Sequence, residues 1–180
     1  MRIISGTLKS RRFSVPPNFP SRPTTNYAKE GLFNVLQHSI EFEALNVLDL
    51  CAGTGNLSFE FISRGAKTVV AVDENPICTK FLASNALQLG ISNQFDVRRS
   101  DCLKFISNCQ TQFDLIIADP PYGAIFHKQI IQLVYEKNLL KPNGLLIIEH
   151  GKQSNFSTLD NFQFCRIFGN VNFSFFQAIT

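Results

Sequence analysis

Asp119-Pro120-Pro121-Tyr122 is a run of residue types suited to holding an amino group carried on an aromatic base. An Asp side chain and a Pro backbone carbonyl can accept both N–H hydrogens of such an amine. That turns its lone pair toward an electrophile and draws the nitrogen toward sp³ character. Two consecutive prolines hold the carbonyl rigidly, because each ring fixes φ. Tyr122 adds a ring on which an unpaired or flipped base can stack. At an arbitrary place the same run would be a proline-rich turn, so its meaning depends on what precedes it.

Asp49-Leu-Cys-Ala-Gly-Thr-Gly55 precedes it, after an apolar run and before a helical pattern. Gly53 and Gly55 let the backbone turn tightly and approach a ligand. A dinucleotide fingerprint would need a third glycine where Ser58 stands. The Asp49 carboxylate repels a pyrophosphate and attracts an ammonium. These features favour S-adenosylmethionine, whose methionyl part carries an amine beside a sulfonium. Asp73 ends the next β-branched run, where an acid grips ribose hydroxyls. It fits NAD and S-adenosylmethionine alike. Asp101 can accept a hydrogen bond from an adenine amine or cap the helix that follows, and both roles can hold together. Cys51 in the turn and Cys102 beside Asp101 belong to the same expected cofactor site.

The elements between these motifs explain why they converge. Leu45–Leu50, Thr68–Val72, Phe95–Arg98, Phe113–Ala118 and Gly144–Glu149 read as strands, and helices are expected over Asn26–Ser39, Leu57–Ser63, Pro76–Leu89, Cys102–Asn108 and near Lys128–Glu136. Thr24 or Thr25 is placed to cap the first helix. Strands alternating with helices predict right-handed βαβ units and a mostly parallel sheet covered on both faces. Phe162–Phe168 and Val171–Ile179 follow one another without a helix, so at least one is antiparallel. Residues 2–15 read as a short β-hairpin arm, and the four prolines of residues 15–23 exclude a helix there. The expected division is a basic arm with its helix over residues 1–40 and a Rossmann-like domain over residues 41–180, forming one structural domain. In such a sheet ligands bind beyond the carboxyl ends of the strands, where the strand order reverses. Each polar motif above lies just after a strand.

Composition limits the alternatives. With 44% hydrophobic and 17% charged residues the chain folds, and 18 Phe without any Trp imply a core built on phenylalanine. The five cysteines (Cys51, Cys78, Cys102, Cys109, Cys165) form no C-x-x-C pair, arguing against zinc or a disulfide framework and for buried thiols in a reducing cytoplasm. No signal peptide or membrane span is visible. His38, His127 and His150 are far apart and are expected at polar surface or edge positions, with no part in catalysis and no metal. Residues 1–30 carry six basic residues against one acidic, while the remainder carries eleven against thirteen. Such an arm, with Arg11, Arg12 and Arg22, suits a polyanion, since each neutralised phosphate releases counterions. A solvated charged terminus explains it equally well.

Through these residues the chain resembles the class I methyltransferases and, among them, the bacterial 16S rRNA guanine-N2 methyltransferase (RsmD-like) family. The resemblance runs through Met1-Arg-Ile-Ile-Ser-Gly6, Arg22-Pro-Thr-Thr25, Glu30-Gly-Leu-Phe-Asn34, Asp49 to Gly55, Ser63-Arg-Gly-Ala66, Asp119 to Tyr122, Ile148-Glu-His150 and Phe168-Gly169. The D-P-P-Y run is shared with adenine-N6 and glutamine-N5 enzymes; the R-P-T-T…E-x-L-F-N arm is narrower. The resemblance implies a seven-stranded sheet, S-adenosylmethionine as donor and a guanine in the helix-31 loop of 16S rRNA, in the 30S subunit or an assembly intermediate, as acceptor. It assigns Asp119, Pro120 and Tyr122 to the target amine and base. Asp49, Gly53 and Gly55 go to the methionyl part of the cofactor, Asp73 to its ribose, and Asp101 to its adenine. Arg22, Thr24 and Thr25, which match the arm, go to substrate and active-site support, and Pro121 of the D-P-P-Y run is a further candidate for substrate contact. Family members often have Asp where Asn26 stands, and many have Ala where Gly31 stands, which should weaken the helix by roughly 1 kcal/mol. A cytoplasmic monomer is expected.

Three competitors remain. An adenine-N6 enzyme would share the site, but the chain has no separate DNA-recognition domain, and protein-amide enzymes carry Asn at the leading position of the run. A non-catalytic ribosome-assembly factor would not need intact Asp119, Tyr122 and Gly53. A nicotinamide dehydrogenase fails at Ser58 and lacks an evident acid or base for hydride transfer.

Overall fold

The computed structural model describes residues 1–21, 24–121 and 124–178. Twelve elements follow in the order α1 (Asn26–Leu36), β1 (Asn46–Leu50), α2 (Ser58–Ser63), β2 (Thr68–Asp73), α3 (Pro76–Gln88), β3 (Phe95–Arg99), α4 (Cys102–Asn108), β4 (Phe113–Ala118), α5 (Ala124–Glu136), β5 (Leu140–His150), β6 (Phe162–Phe168) and β7 (Val171–Gln177). They build one seven-stranded sheet of order β3-β2-β1-β4-β5-β7-β6. β1 to β5 run parallel, and β7 inserts antiparallel between β5 and β6. The α/β architecture expected from the alternating pattern is therefore present, antiparallel C-terminal strand included. Among the described residues no helix is long and apolar enough to cross a membrane.

The pleat sorts the sheet's side chains between two cores. Val47, Ala71, Leu115, Ile117, Ile147 and Phe175 pack with Leu32 of α1, Phe59 of α2 and Leu82 of α3 on one face. Leu48, Val72, Ile116, Ile148 and Phe176 pack with Ile106 of α4 and Ile130 of α5 on the other. The phenylalanine-rich composition shows here: Phe59 stacks between Phe13 and Phe95, with ring centroids 5.0 and 4.8 Å away. Truncating such a side chain typically costs about 3–5 kcal/mol.

Residues 2–15 form a hairpin closed by a single bridge between Arg2 and Arg12, with Ile3 and Phe13 buried in the core. The hairpin is clamped from below. Glu60 of α2, fully buried, accepts the Ile4 and Ser5 amides at 2.9 and 3.0 Å and pairs with Lys29 at 3.3 Å and Arg64 at 3.0 Å. Lys29 is thus part of the interior and leaves the set of cations that could meet phosphate. Burial lowers its pKa, against the opposing pull of Glu60.

Three local expectations change. β5 begins at Leu140, not Gly144, because the β4–β5 register shifts between Phe113 and Leu115 and so absorbs Pro142 and Asn143. α5 starts at Ala124, four residues before the apolar pattern becomes regular. Gly31 has a packing role: a Cβ there would lie 2.1 Å from the Phe168 ring, which rests against the helix backbone.

Candidate active site

The strand order reverses between β1 and β4, and both strands end at the same height, Leu50 beside Ala118. The next residues, Cys51 and Asp119, therefore meet at the mouth of the crevice. A cavity of about 340 Å³ opens there, lined among others by Cys51, Asp73, Asp101, Cys102, Asp119 and Pro121. A smaller hollow beside it is bordered by Asp49, Thr24, Cys51, Asn56 and Asp119. These motifs, separated by up to 70 residues in sequence, are brought together as expected. Tyr122 and Arg22 lie outside the described residues.

The turn after β1 is held by the acid at the end of β2. Asp73 accepts the Gly53 amide and the Asn75 amide, both at 2.8 Å. Gly53 adopts φ +53°, and a Cβ on it would fall 2.3 Å from the Ser21 hydroxyl, so glycine allows the arm to lie over the turn. Gly55 also has a packing reason: a Cβ there would strike Leu82 at 2.4 Å and Phe59 at 2.8 Å. Cys51 takes a positive φ of 63° without being glycine, a left-handed conformation that side chains disfavour.

Asp49 sits beneath the turn. It is buried and accepts the Ser58 hydroxyl, so Ser58, where a dinucleotide site has glycine, orients the carboxylate. Burial raises its pKa to about 7; Asp119 and Asp73 push the same way while Ser58 opposes. Burial also raises Asp119 to about 7. Asp101 caps α4 by accepting the Lys104 amide at 2.8 Å while lining the cavity, so both roles weighed for it are geometrically available. Cys102 is buried and Cys51 partly so, both as free thiols; a hydrogen bond with Cys102 and then burial raise the Cys51 pKa.

The arm threonines divide. Thr25 is the N-cap of α1, its hydroxyl accepting the Ala28 amide at 3.2 Å, the capping role open to either threonine of the arm. The Thr24 hydroxyl donates to Glu149 at 3.0 Å, and its carbonyl accepts the Asn56 amide at 2.6 Å. Asn56 in turn accepts from Lys29 at 2.8 Å. Ser21, Asn56 and Glu149 were not picked out as site residues from the sequence; their partners lie up to 125 positions away, beyond any local pattern. Arg11 and Arg12 are exposed and Pro121 faces the cavity mouth, while Pro120 is buried.

Two histidines depart from expectation. His127 and His150 are buried against Phe156, with centroids 5.7 and 4.8 Å from its ring. His150 Nε2 meets the Ser174 hydroxyl at 2.8 Å, and burial lowers its pKa. β5 lies inside the sheet, so its last residue is covered by β7 and by Phe156. Only Cys78 and Cys102 of the five thiols are buried outright.

A crevice at this reversal, with the acid of β2 holding the turn of β1 and an Asp-Pro-Pro run after β4, is the architecture of the class I methyltransferases. Within that class the chain belongs to the family described as Conserved hypothetical protein 95, which matches residues 1–177. Ribosomal RNA small subunit methyltransferase D of Haemophilus influenzae is 35% identical over 164 residues, covering 89% of this chain and 84% of its own length. Its Escherichia coli namesake is 28% identical over 159 residues, with 88% and 79% covered. A solved Haemophilus influenzae structure superposes with TM-score 0.81 at 32% identity, covering 99% of this chain and 98% of that one. The Thermus thermophilus 16S rRNA N2 methyltransferase RsmC, solved with AdoMet and guanosine, shares the fold at TM-score 0.71 and 20% identity, over 87% of this chain and 44% of that one.

Proposed function

We propose that this chain transfers a methyl group from S-adenosylmethionine to the exocyclic N2 of a guanine in 16S rRNA, within the helix-31 loop of the small subunit. The observation that carries the reading is Asp119, which opens on a nucleoside-sized cavity already bordered by Asp73 and Asp101. The cavity fits the cofactor. Asp73 can hold ribose hydroxyls from the end of β2, and Asp101 with Cys102 borders the place for an adenine. Asp49, at the adjoining hollow, offers a carboxylate to an ammonium. When bound, the cofactor supplies a methyl group on a positively charged sulfur, so no further activation of the donor is needed.

The protein's own task is positioning and exclusion of water. Asp119 accepts one amine N–H, and the Pro120 carbonyl is the candidate acceptor for the second. Asp119 then takes the proton that becomes surplus once the amine nitrogen carries a fourth bond. Arg11 and Arg12 contact phosphate from the arm. The choice of guanine N2 rests on the resemblance of the arm sequence; the relatives' names extend only to methylation of small-subunit rRNA.

Asp119→Ala tests the reading. Transfer of labelled methyl to 30S subunits that lack the modification should fall at least about 100-fold, roughly 2.7 kcal/mol in the barrier. Cofactor affinity, measured by titration calorimetry, should stay within about threefold. A variant that methylates at the wild-type rate contradicts it.

A further inference from the structure

Glu149 lies outside the Asp-Pro-Pro-Tyr and glycine-turn motifs. It stands at the C-terminal end of β5, one position beyond Ile148, which pairs with Ala118 of β4. Asp119 is likewise one position beyond Ala118, so the two carboxyls are neighbours across adjacent strands. The pleat places Asp49, in register with Ile117 and Ile147, on that same face. Three carboxyl groups therefore share one end of one sheet face. Glu149 and Asp49 are 7% and 3% exposed. Among the described residues none of the three forms an ion pair, and Lys29 is committed to Glu60. Three adjoining carboxylates in such a place cannot all be ionised at neutral pH.

The surroundings decide where the proton stays. Glu149 Oε2 accepts the Thr24 hydroxyl at 3.0 Å, as a neutral carboxylic acid can with its carbonyl oxygen, leaving Oε1 to carry hydrogen. From β4 it faces Asp119, from β1 Asp49, and from the arm Thr24; Phe173, opposite it on β7, brings no charge. His150 turns to Ser174 and Gly151 on the other side. Burial, followed by the neighbouring Asp119 charge, holds the Glu149 pKa well above the usual carboxylate range, whereas Asp119 titrates near 7.

We propose that Glu149 is a positioning residue that carries the cluster's shared proton, leaving Asp119 as the carboxylate that receives the target amine. The Thr24 hydroxyl holds Glu149 in that role, so the arm is coupled to the charge state of the site through Lys29, Asn56 and Thr24. The assignment of the amine to Asp119 rests on the function proposed above; the location of the proton does not.

Infrared difference spectroscopy of the whole protein at about pH 8.5 reads the proton directly, because Asp49 and Asp119 are then ionised. The expected result is a protonated-carboxyl band in the wild type that vanishes in Glu149→Gln and survives in Asp119→Asn. Thr24→Val should shift the band to higher frequency, and Thr24→Ser should restore it; these two variants decide the matter if Glu149→Gln fails to fold. In methyl transfer, Glu149→Gln should lose about three- to tenfold in kcat with its acid limb still near pH 7, since its amide can donate as the neutral acid does. The proposal is overturned if the wild type shows no such band, if the band persists in Glu149→Gln, or if a folded Glu149→Gln loses more than about 100-fold at every pH. A wild-type protein that shows the band but methylates no RNA would sink the proposed function alone.

Discussion

Asp73 accepts the backbone amide of Gly53 at 2.8 Å, so the glycine turn after β1 and the acidic end of β2 are one rigid unit. Removing the carboxylate loosens the turn and deprives the cavity of its ribose acceptor at once. Asp73→Ala should weaken S-adenosylmethionine binding by about 1.5–3 kcal/mol, the scale of hydrogen bonds to charged groups. Titration calorimetry checks this. Asp101→Ala should lose less, because the backbone and Cys102 still border its part of the cavity.

The raised acids fix a pH dependence. Asp49 titrates near 7 in the folded protein, against an ordinary value near 4 in the unfolded chain. A raised acid favours folding only while protonated, so its contribution is fully present below about pH 4 and is lost as pH rises through about 7. Thermal midpoints of the ligand-free wild type and of Asp49→Asn should therefore diverge across that window, the wild type falling relative to the variant. Cofactor affinity should run the other way, tightening as pH rises through about 7, because the ionised Asp49 meets an ammonium.

Phe168 occupies the space a Cβ on residue 31 would need. Ala at that helix position contributes about 1 kcal/mol over Gly, but displacing a packed ring costs about 1–3 kcal/mol. Gly31→Ala should be neutral to destabilising by about 2 kcal/mol in the wild type and stabilising by about 1 kcal/mol in a Phe168→Ala background. Chemical denaturation of the four proteins gives the sign in each.

Glu60 ties the first residues of the chain to α2. Breaking a buried ion pair leaves a stranded charge and costs about 3–5 kcal/mol. Glu60→Ala should expose the Ile4 and Ser5 amides to hydrogen exchange well before the sheet opens. Uniform exchange across the chain would show that the hairpin is no separate cooperative unit.

Exposed Arg11 and Arg12 should act through phosphate alone. Each substitution by Ala should weaken rRNA binding without changing the base modified, and lower the slope of log K against log salt by about one unit. Binding assays at several salt concentrations measure it.

Much of this architecture was legible because its signals are local. The β-branched run Thr68–Val72 and the apolar run Phe113–Ala118 announce buried strands, and a polar motif directly follows each. The rest depends on contacts that no window of sequence contains. Lys29 counted with the arm's cations until its partner Glu60, 31 positions on, came into view. Glu149 stood out only as part of a family motif, because its meaning comes from Thr24, 125 residues earlier, and from the register with β4. Thr25 caps α1, and no local signal separates a capping hydroxyl from one that serves a ligand. Pro142 hid the start of β5, since only the register shift beside Phe113 lets a strand accept it.

The central claim, N2 methylation of the helix-31 guanine, meets its most direct test in mass mapping of methylated nucleosides in 16S rRNA from cells lacking this protein, and from the same cells supplied with wild type or Asp119→Ala. N2-methylguanosine in the helix-31 loop should disappear, return with the wild type and not return with the variant. Finding that guanine still N2-methylated in the cells lacking the protein would contradict the claim.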